Sequence, residues 1–274
     1  MFPELETLPH ADTLERLLER IEVTQIQDCM IELLKDLIRR KKFKNYLHNK
    51  HYLIAIDGTQ KICRGYQWAS ECLKRQVGSG EEKQPQYYVY VLEAVLVLNN
   101  GITLPVMSEF LKNEGYQCEA TKQDCERKAF YRLAQKLKAF FPKTRIAVVV
   151  DGLYACGPVF RICRKNQWDY MIVLKEDSLK GVWHEAEGLM KLEQENRLEC
   201  MWGDRLQVYR WANDIEYCYG ENGRKKEILH VVICEESWEE TNRNTGEVEK
   251  KITRYAWISA KRITKSNVFS LLKL

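Results

Sequence analysis

Ile146-Ala147-Val148-Val149-Val150-Asp151-Gly152-Leu153-Tyr154 is the stretch that decides how this chain folds. Its apolar, β-branched run reads as a strand buried on both faces, the kind found in a parallel sheet covered by helices. The strand closes on a carboxylate, which is costly to take out of water unless something positive binds it. The glycine that follows lets backbone or ligand come close. Upstream, Leu53-Ile54-Ala55-Ile56-Asp57-Gly58-Thr59-Gln60 repeats the layout. Taken singly, each Asp reads as the cap of the helix after its strand. Two such strand ends in one parallel sheet can instead share divalent metal ions, as metal-assisted phosphoryl chemistry requires.

The flanking segments extend the pattern. A helix over 122–141 carries the apolar stripe Ala129, Phe130, Leu133, Leu137 and Phe140 and is stopped by Pro142. Thr121 and Asp124 suit its cap, and the negative charge of Asp124 and Glu126 suits its dipole. After Asp151 come a helix over 153–166 and a strand over Asp169–Leu174. Before the helix, strands are expected at 52–57, within Cys63–Ala69, and at Tyr87–Leu98, the last turned at Asn99-Asn100-Gly101 into Ile102–Val106. The polar run Gly78–Pro85 is the best candidate for disorder. Three antiparallel strands, a helix, then parallel strands with helices describe an α/β fold: a ribonuclease H-like mixed sheet flanked by helices. In that topology the first and fourth strand ends lie side by side, so Asp57 and Asp151 would together hold Mg²⁺ or Mn²⁺, hard cations suited to carboxylate oxygens.

This core is expected over residues 51–175. An N-terminal helical segment, 1–50, precedes it, with two helices in 11–42 whose stripes (Leu14, Leu17, Leu18, Ile21; then Ile26, Met30, Leu33, Leu34, Leu37, Ile38) look like packing faces. The second ends in Arg39-Arg40-Lys41-Lys42-Phe43-Lys44, which reads equally as a phosphate-binding patch or as cations at a helix C-terminus. Residues 176–262 read as a small, late antiparallel β insertion. After a helix-like stretch over 179–194 it has runs at Leu198–Trp202, Leu206–Trp211, Ile228–Cys234 and Ile252–Ser259 and turns at Glu221-Asn222-Gly223 and 242–246. Residues 263–274 begin a C-terminal helical part of the core.

Composition excludes several classes. With 45% hydrophobic and 30% charged residues in 274, and no apolar run of about 18, a membrane-spanning helix is not expected. The acidic start lacks the order of a signal peptide, so the chain is read as cytoplasmic. Ten cysteines include no close C-x-x-C pair, and even the seven-residue spacings Cys118/Cys125 and Cys156/Cys163 read as reduced, mostly buried thiols. A net charge of +4 does not by itself argue for nucleic acid, although Arg262 and Lys265 add a basic C-terminus.

Ile56-Asp57-Gly58-Thr59-Gln60, Lys122-Gln123-Asp124-Cys125-Glu126, Phe141-Pro142-Lys143, Asp151-Gly152-Leu153-Tyr154-Ala155 and Trp168-Asp169-Tyr170, in this order, together resemble bacterial insertion-sequence transposases of the DDE class, with a β-rich insertion late in a ribonuclease H-like core. The resemblance covers roughly residues 10–270 and implies an Mg²⁺- or Mn²⁺-dependent enzyme. Such an enzyme hydrolyses phosphodiesters and transfers strands on double-stranded DNA, at transposon ends and target, as a homo-oligomer associated with the nucleoid. Asp57 and Asp151 match the first two of the family's three carboxylates. The third, a Glu on a helix after the insertion, finds no counterpart, since Lys261–Leu274 contains no acidic residue. The chain is therefore read as C-terminally truncated and impaired in catalysis. An inactive DNA-binding or oligomerising remnant is the alternative, and a nuclease with a substitute carboxylate is a third reading. Candidate DNA contacts are Arg39, Arg40, Lys41, Arg64 and Lys74. Trp68 is expected in the core rather than stacked on a flipped base. Glu93 is expected to face solvent or pair with a cation, Glu176 and Glu185 to be solvated, and His184 and His230 to be structural.

Overall fold

The computed structural model describes residues 10–80, 83–112, 124–241 and 248–272, built around a mixed sheet of ten strands. Strands β1 (Tyr52–Arg64), β2 (Leu73–Val77), β3 (Gln84–Val97), β4 (Thr103–Phe110), β5 (Ile146–Val150) and β6 (Asp169–Val173) form one half. β1 pairs antiparallel with β3 on one side and parallel with β5 on the other. β6 runs parallel beyond β5. On its other edge β3 takes β2 along its first residues and β4 along its last. The fully apolar β5 lies in the middle, as its sequence requires. The Asn99-Asn100-Gly101 turn joins β3 to β4, with Gly101 at φ 86°, a left-handed value that glycine reaches without strain.

Two strand expectations are corrected. The second strand forms at Leu73–Val77, not within Cys63–Ala69. Cys63 and Arg64 instead continue β1 against Tyr88 and Tyr87, past a bulge between Gln60 and Ile62. Asp57 therefore lies inside β1 rather than at its end. The polar run from Gly58 to Lys61 mimics a strand terminus, but it is solvent-facing strand backbone paired on one side only.

Helices α1 (Ala11–Leu18), α2 (Val23–Arg39), α3 (Glu126–Phe140), α4 (Gly157–Asn166), α5 (Lys180–Leu192) and α6 (Val268–Leu272) complete the chain. A single 3₁₀ turn, Gly152–Tyr154, separates Asp151 from α4, so the helix starts later than expected. One large core joins Ile31 and Leu34 of α2 and Phe130, Leu133 and Leu137 of α3 to Ile54, Ile56, Val148 and Val150 of the sheet. Burying each such side chain stabilises the fold by about 1.5–3 kcal/mol. The α1 stripe is not a packing face: none of its residues is buried, and Leu14, Leu17 and Leu18 stand exposed.

The expected insertion strands form β7 (Arg197–Trp202), β8 (Arg205–Tyr219), β9 (Lys225–Thr241) and β10 (Val248–Ser259), all antiparallel and longer than their apolar runs. They are not a separate small unit. Trp257 of β10 lies opposite Val173 of β6, so the four strands extend the same sheet. Among the described residues no helix is long and apolar enough to cross a membrane. The nine described cysteines are all free, but only Cys72, Cys163 and Cys234 are buried, which corrects the expectation of mostly buried thiols. Cys118, Thr121 and the 242–246 turn lie outside the described residues, as does part of the Gly78–Pro85 run.

Candidate functional site

The register of β1 against β5 sets the geometry of the two aspartates. Tyr52 lies opposite Ile146 and Ala55 opposite Val149, a constant offset of 94. Asp57 and Asp151 are separated by the same 94 residues, two positions past the last pair, so the register continued beyond β5 aligns them; paired strands lie about 4.8 Å apart. On the other side, Asp57 lies directly opposite Glu93 of β3. Residues in one row point to the same face of a sheet. Glu93 and Asp57 are thus a cross-strand pair, and continuing the β1–β5 register two residues past its last pair adds Asp151, just beyond β5, to their row.

Each end of the row carries a lysine. Lys61 Nζ is 2.9 Å from Glu93 Oε1, and Lys175 Nζ is 3.5 Å from Asp151 Oδ2. Asp57, in the middle, has no ion-pair partner among the described residues. Backbone amides orient both aspartates. Asp57 Oδ1 accepts from its neighbour Gly58 N–H at 2.8 Å, and Asp151 Oδ1 accepts from Leu153 N–H at 2.9 Å. The second bond makes Asp151 the cap of the 3₁₀ turn, the bland role that the sequence allowed. Both aspartates are solvent-exposed, so neither is the desolvated carboxylate that its apolar strand suggested. Among the described residues no three Asp, Glu, His or Cys side chains are gathered tightly enough to form a ready ligand set.

Behind Gly58, on the helix side of the sheet, stands a carboxylate that sequence reasoning had assigned to the α3 dipole. Glu126, in the first turn of α3, accepts hydrogen bonds from Tyr90 Oη at 2.7 Å and Tyr154 Oη at 3.0 Å. A Cβ on Gly58 would fall 2.6 Å from the Tyr90 hydroxyl and 2.8 Å from Glu126 Cδ, so glycine is what admits this clamp. Burial raises both phenol pKa values well above their usual range, and the adjoining negative charges of Glu126, Asp57 and Asp151 raise them further. Both hydroxyls thus remain donors at neutral pH. The expected capping by Asp124 is absent. Cys125 is the N-cap, with no side-chain cap bond, and Asp124 instead pairs with Arg132 at 2.7 Å. A hydrophilic Tyr90 and Glu126 set beside apolar positions were the available sequence signal, but their pairing needs the tertiary fold.

The candidate DNA contacts divide into two groups. Arg39, Arg40 and Lys41 lie at the far end of the sheet, since Tyr46 O accepts from Asn99 N–H at 3.2 Å, beside the β3–β4 turn. There Arg40 pairs with Asp36 at 2.7 Å, Arg39 bonds Lys35 O, and Lys41 takes a left-handed conformation at the end of α2. These contacts are those of a helix C-terminus. Arg64 and Lys74, by contrast, both lie opposite Tyr87, in a row at the far end of β1 from Tyr52. Arg64 stacks over Tyr66 and Trp68, with its guanidinium 5.6 and 5.2 Å from the ring centres. Trp68 is half-buried beneath it, not in the core. Glu176, Glu185 and His184 are exposed, and His230 is buried, its Nδ1 accepting from Asp214 N–H at 3.2 Å.

Comparison with protein-family models and with curated proteins returns no match.

Proposed function

We propose that this chain is a DDE-type transposase, binding double-stranded DNA and acting by metal-dependent phosphodiester hydrolysis and strand transfer. The common offset of 94 supports this reading, because the β1–β5 register, continued two residues, aligns Asp57 with Asp151. The strand order β4-β3-β1-β5-β6, antiparallel then parallel, supports a ribonuclease H-like core. The donor set fits Mg²⁺ or Mn²⁺: exposed hard oxygens, with Asp57 left without a cation between two other carboxylates. Asp57 and Asp151 would hold the ion, which when bound polarises a phosphoryl oxygen and lowers the pKa of a bound water or hydroxyl. The Gly58 and Leu153 amides fix one oxygen of each aspartate. Lys175 supplies Asp151 with a positive neighbour, and the Tyr90–Glu126–Tyr154 clamp fixes a further negative charge behind β1. Transposon ends and target DNA as substrates, homo-oligomeric action and a nucleoid setting belong to the same reading.

The test is Mn²⁺-dependent nicking of a labelled duplex carrying the sequences that flank the gene. It should vanish in Asp57→Ala and in Asp151→Ala; nicking that persists in both refutes the site. A second reading is a DNA-binding or oligomerising remnant without catalysis. It expects gel-shift binding with no nicking by the unaltered chain.

A further inference from the structure

A cleft of about 900 Å³ opens on the surface where α3, α4 and the ends of β8 and β9 meet, away from the carboxylate row. Its apolar walls include Tyr131, Pro158, Ile162 and Tyr219, and its charged lining is cationic (Lys138, Arg161, Lys165 and Lys225), beside the amides of Gln135 and Asn166. We propose that this cleft binds the phosphate backbone of a nucleic acid, as a site additional to the row on β1 and β5.

Three of the cations are free to do so. Arg161, Lys165 and Lys225 are exposed and make no ion pair among the described residues, although Arg161 reaches the Tyr219 hydroxyl. Their neighbours are neutralised: Arg164 pairs with buried Glu227 at 3.0 Å and Lys226 with Glu216 at 2.8 Å. Glu227, paired with Arg164, also accepts from the hydroxyl of the cleft-wall residue Tyr219 at 3.4 Å. Lys138 is held at one end, its ammonium on the carbonyls of Pro142 and Asn166 at 3.0 and 3.1 Å. Cations at a helix C-terminus are commonplace, and that accounts for Lys165. It does not account for Arg161, one turn earlier, or for Lys225 on β9.

The wall opposite is preformed. The Tyr219 ring lies so close over Gly157 that a Cβ there would stand 2.3 Å from it, and it stacks on Tyr217 with 5.7 Å between ring centres. A small ligand is usually enclosed by converging polar groups. Here the charges are strung along an open groove, about 6 Å apart along α4 for Arg161 and Lys165, which suits a strand that runs through.

The experiment measures binding of a fluorescent duplex of arbitrary sequence by anisotropy between 50 and 200 mM salt. The variant is Arg161→Gln with Lys165→Gln and Lys225→Gln. Losing three phosphate contacts should flatten the log–log salt slope by about 2.7, so that the affinity lost over that range shrinks by about 40-fold. The equally charged control, Lys50→Gln with Lys180→Gln and Lys191→Gln, should retain the wild-type slope. Lys165→Gln alone, expected to lower the slope by about 0.9, carries the test if the triple variant is unstable. An unchanged slope, or an equal loss in the control, overturns the proposal. So does triple-sensitive binding of inorganic pyrophosphate with DNA binding intact, which would mark a small-anion site. Asp57→Ala, which abolishes nicking on the reading above, should leave the slope untouched, so the two proposals fail separately.

Discussion

Asp57→Asn should stabilise the metal-free protein and destabilise the metal-loaded one. Asp57 lies between Glu93 and Asp151 in the carboxylate row, with no cation of its own among the described residues. Two unit charges about 5 Å apart in a water-like dielectric repel by about 0.8 kcal/mol. Lys61 and Lys175 pair with the flanking carboxylates and, taken at about 10 Å from Asp57, each returns about 0.4 kcal/mol of attraction. Asp57 is thus about 1 kcal/mol worse off than a neutral group of the same shape. Asparagine keeps that shape and keeps the oxygen that accepts from Gly58 N–H at 2.8 Å, so the change is close to purely electrostatic.

Urea unfolding at low ionic strength should show the variant more stable by about 1 kcal/mol, a margin that fades as salt shortens the screening length. With Mn²⁺ at one hundred times its dissociation constant, the wild type should gain about 2.7 kcal/mol and the variant almost nothing. The order of stability therefore reverses on adding metal. A carboxylate that merely caps a turn produces no reversal. A variant less stable without metal, or equal Mn²⁺ stabilisation of both proteins, refutes the reasoning.

Arg132→Met should cost roughly 2–3 kcal/mol in chemical denaturation, because it strips the partner from Asp124 and one of two partners from buried Glu109; a loss under 0.5 kcal/mol would show this network to be solvated. Gly157→Ala should destabilise by about 1–3 kcal/mol through the rigid Tyr219 ring, whereas Gly152→Ala meets only the flexible Lys175 chain and should leave the unfolding midpoint nearly unchanged. Because Tyr90 and Tyr154 hold their protons more tightly when folded, their stabilisation is fully present below pH 10, the unfolded phenol value, and is lost as pH rises beyond it towards the folded values. Urea unfolding between pH 8 and 11 should show this decline, and Tyr154→Phe should flatten it; equal slopes in both proteins would contradict the clamp.

The parts of the fold carried by local pattern were legible in the sequence. The apolar runs of β5 and β6, the α3 stripe ending before Pro142, and the Asn99-Asn100-Gly101 turn each state their own structure. What could not be read is whatever depends on register. Asp57 looked like a strand terminus because polar residues follow it, yet β3 supplies partners through Arg64. Glu93 pairs with Lys61, one of the two outcomes expected of it. Its position opposite Asp57 was not expected, since β2 intervenes between β1 and β3 and no tight turn joins the two to fix their alignment. The aromatic run 87–90 hid Tyr90's role for the same reason: its hydroxyl finds Glu126 only once α3 is laid across the sheet.

The same dependence explains why the two charged surfaces differ in kind. On the β1–β5 face, backbone pairing sets Glu93 opposite Asp57 with Asp151 in continued register, and a lysine stands at each end of the row. Such a row has a standing electrostatic reason to take up a cation, and it is built on rigid strands that hold its spacing. On the α3–α4 face the excess charge is positive and sits on long side chains at the rim of an open groove. These lose little by staying solvated and adapt to whatever backbone arrives. Rigid anionic spacing suits an ion that must be held at defined positions, and mobile cations suit a polymer that must slide. On the function proposed above, mutations on the two faces should separate. Those in the row should alter turnover and metal dependence at unchanged salt slope; those in the groove should alter the salt slope with nicking of the bound DNA preserved.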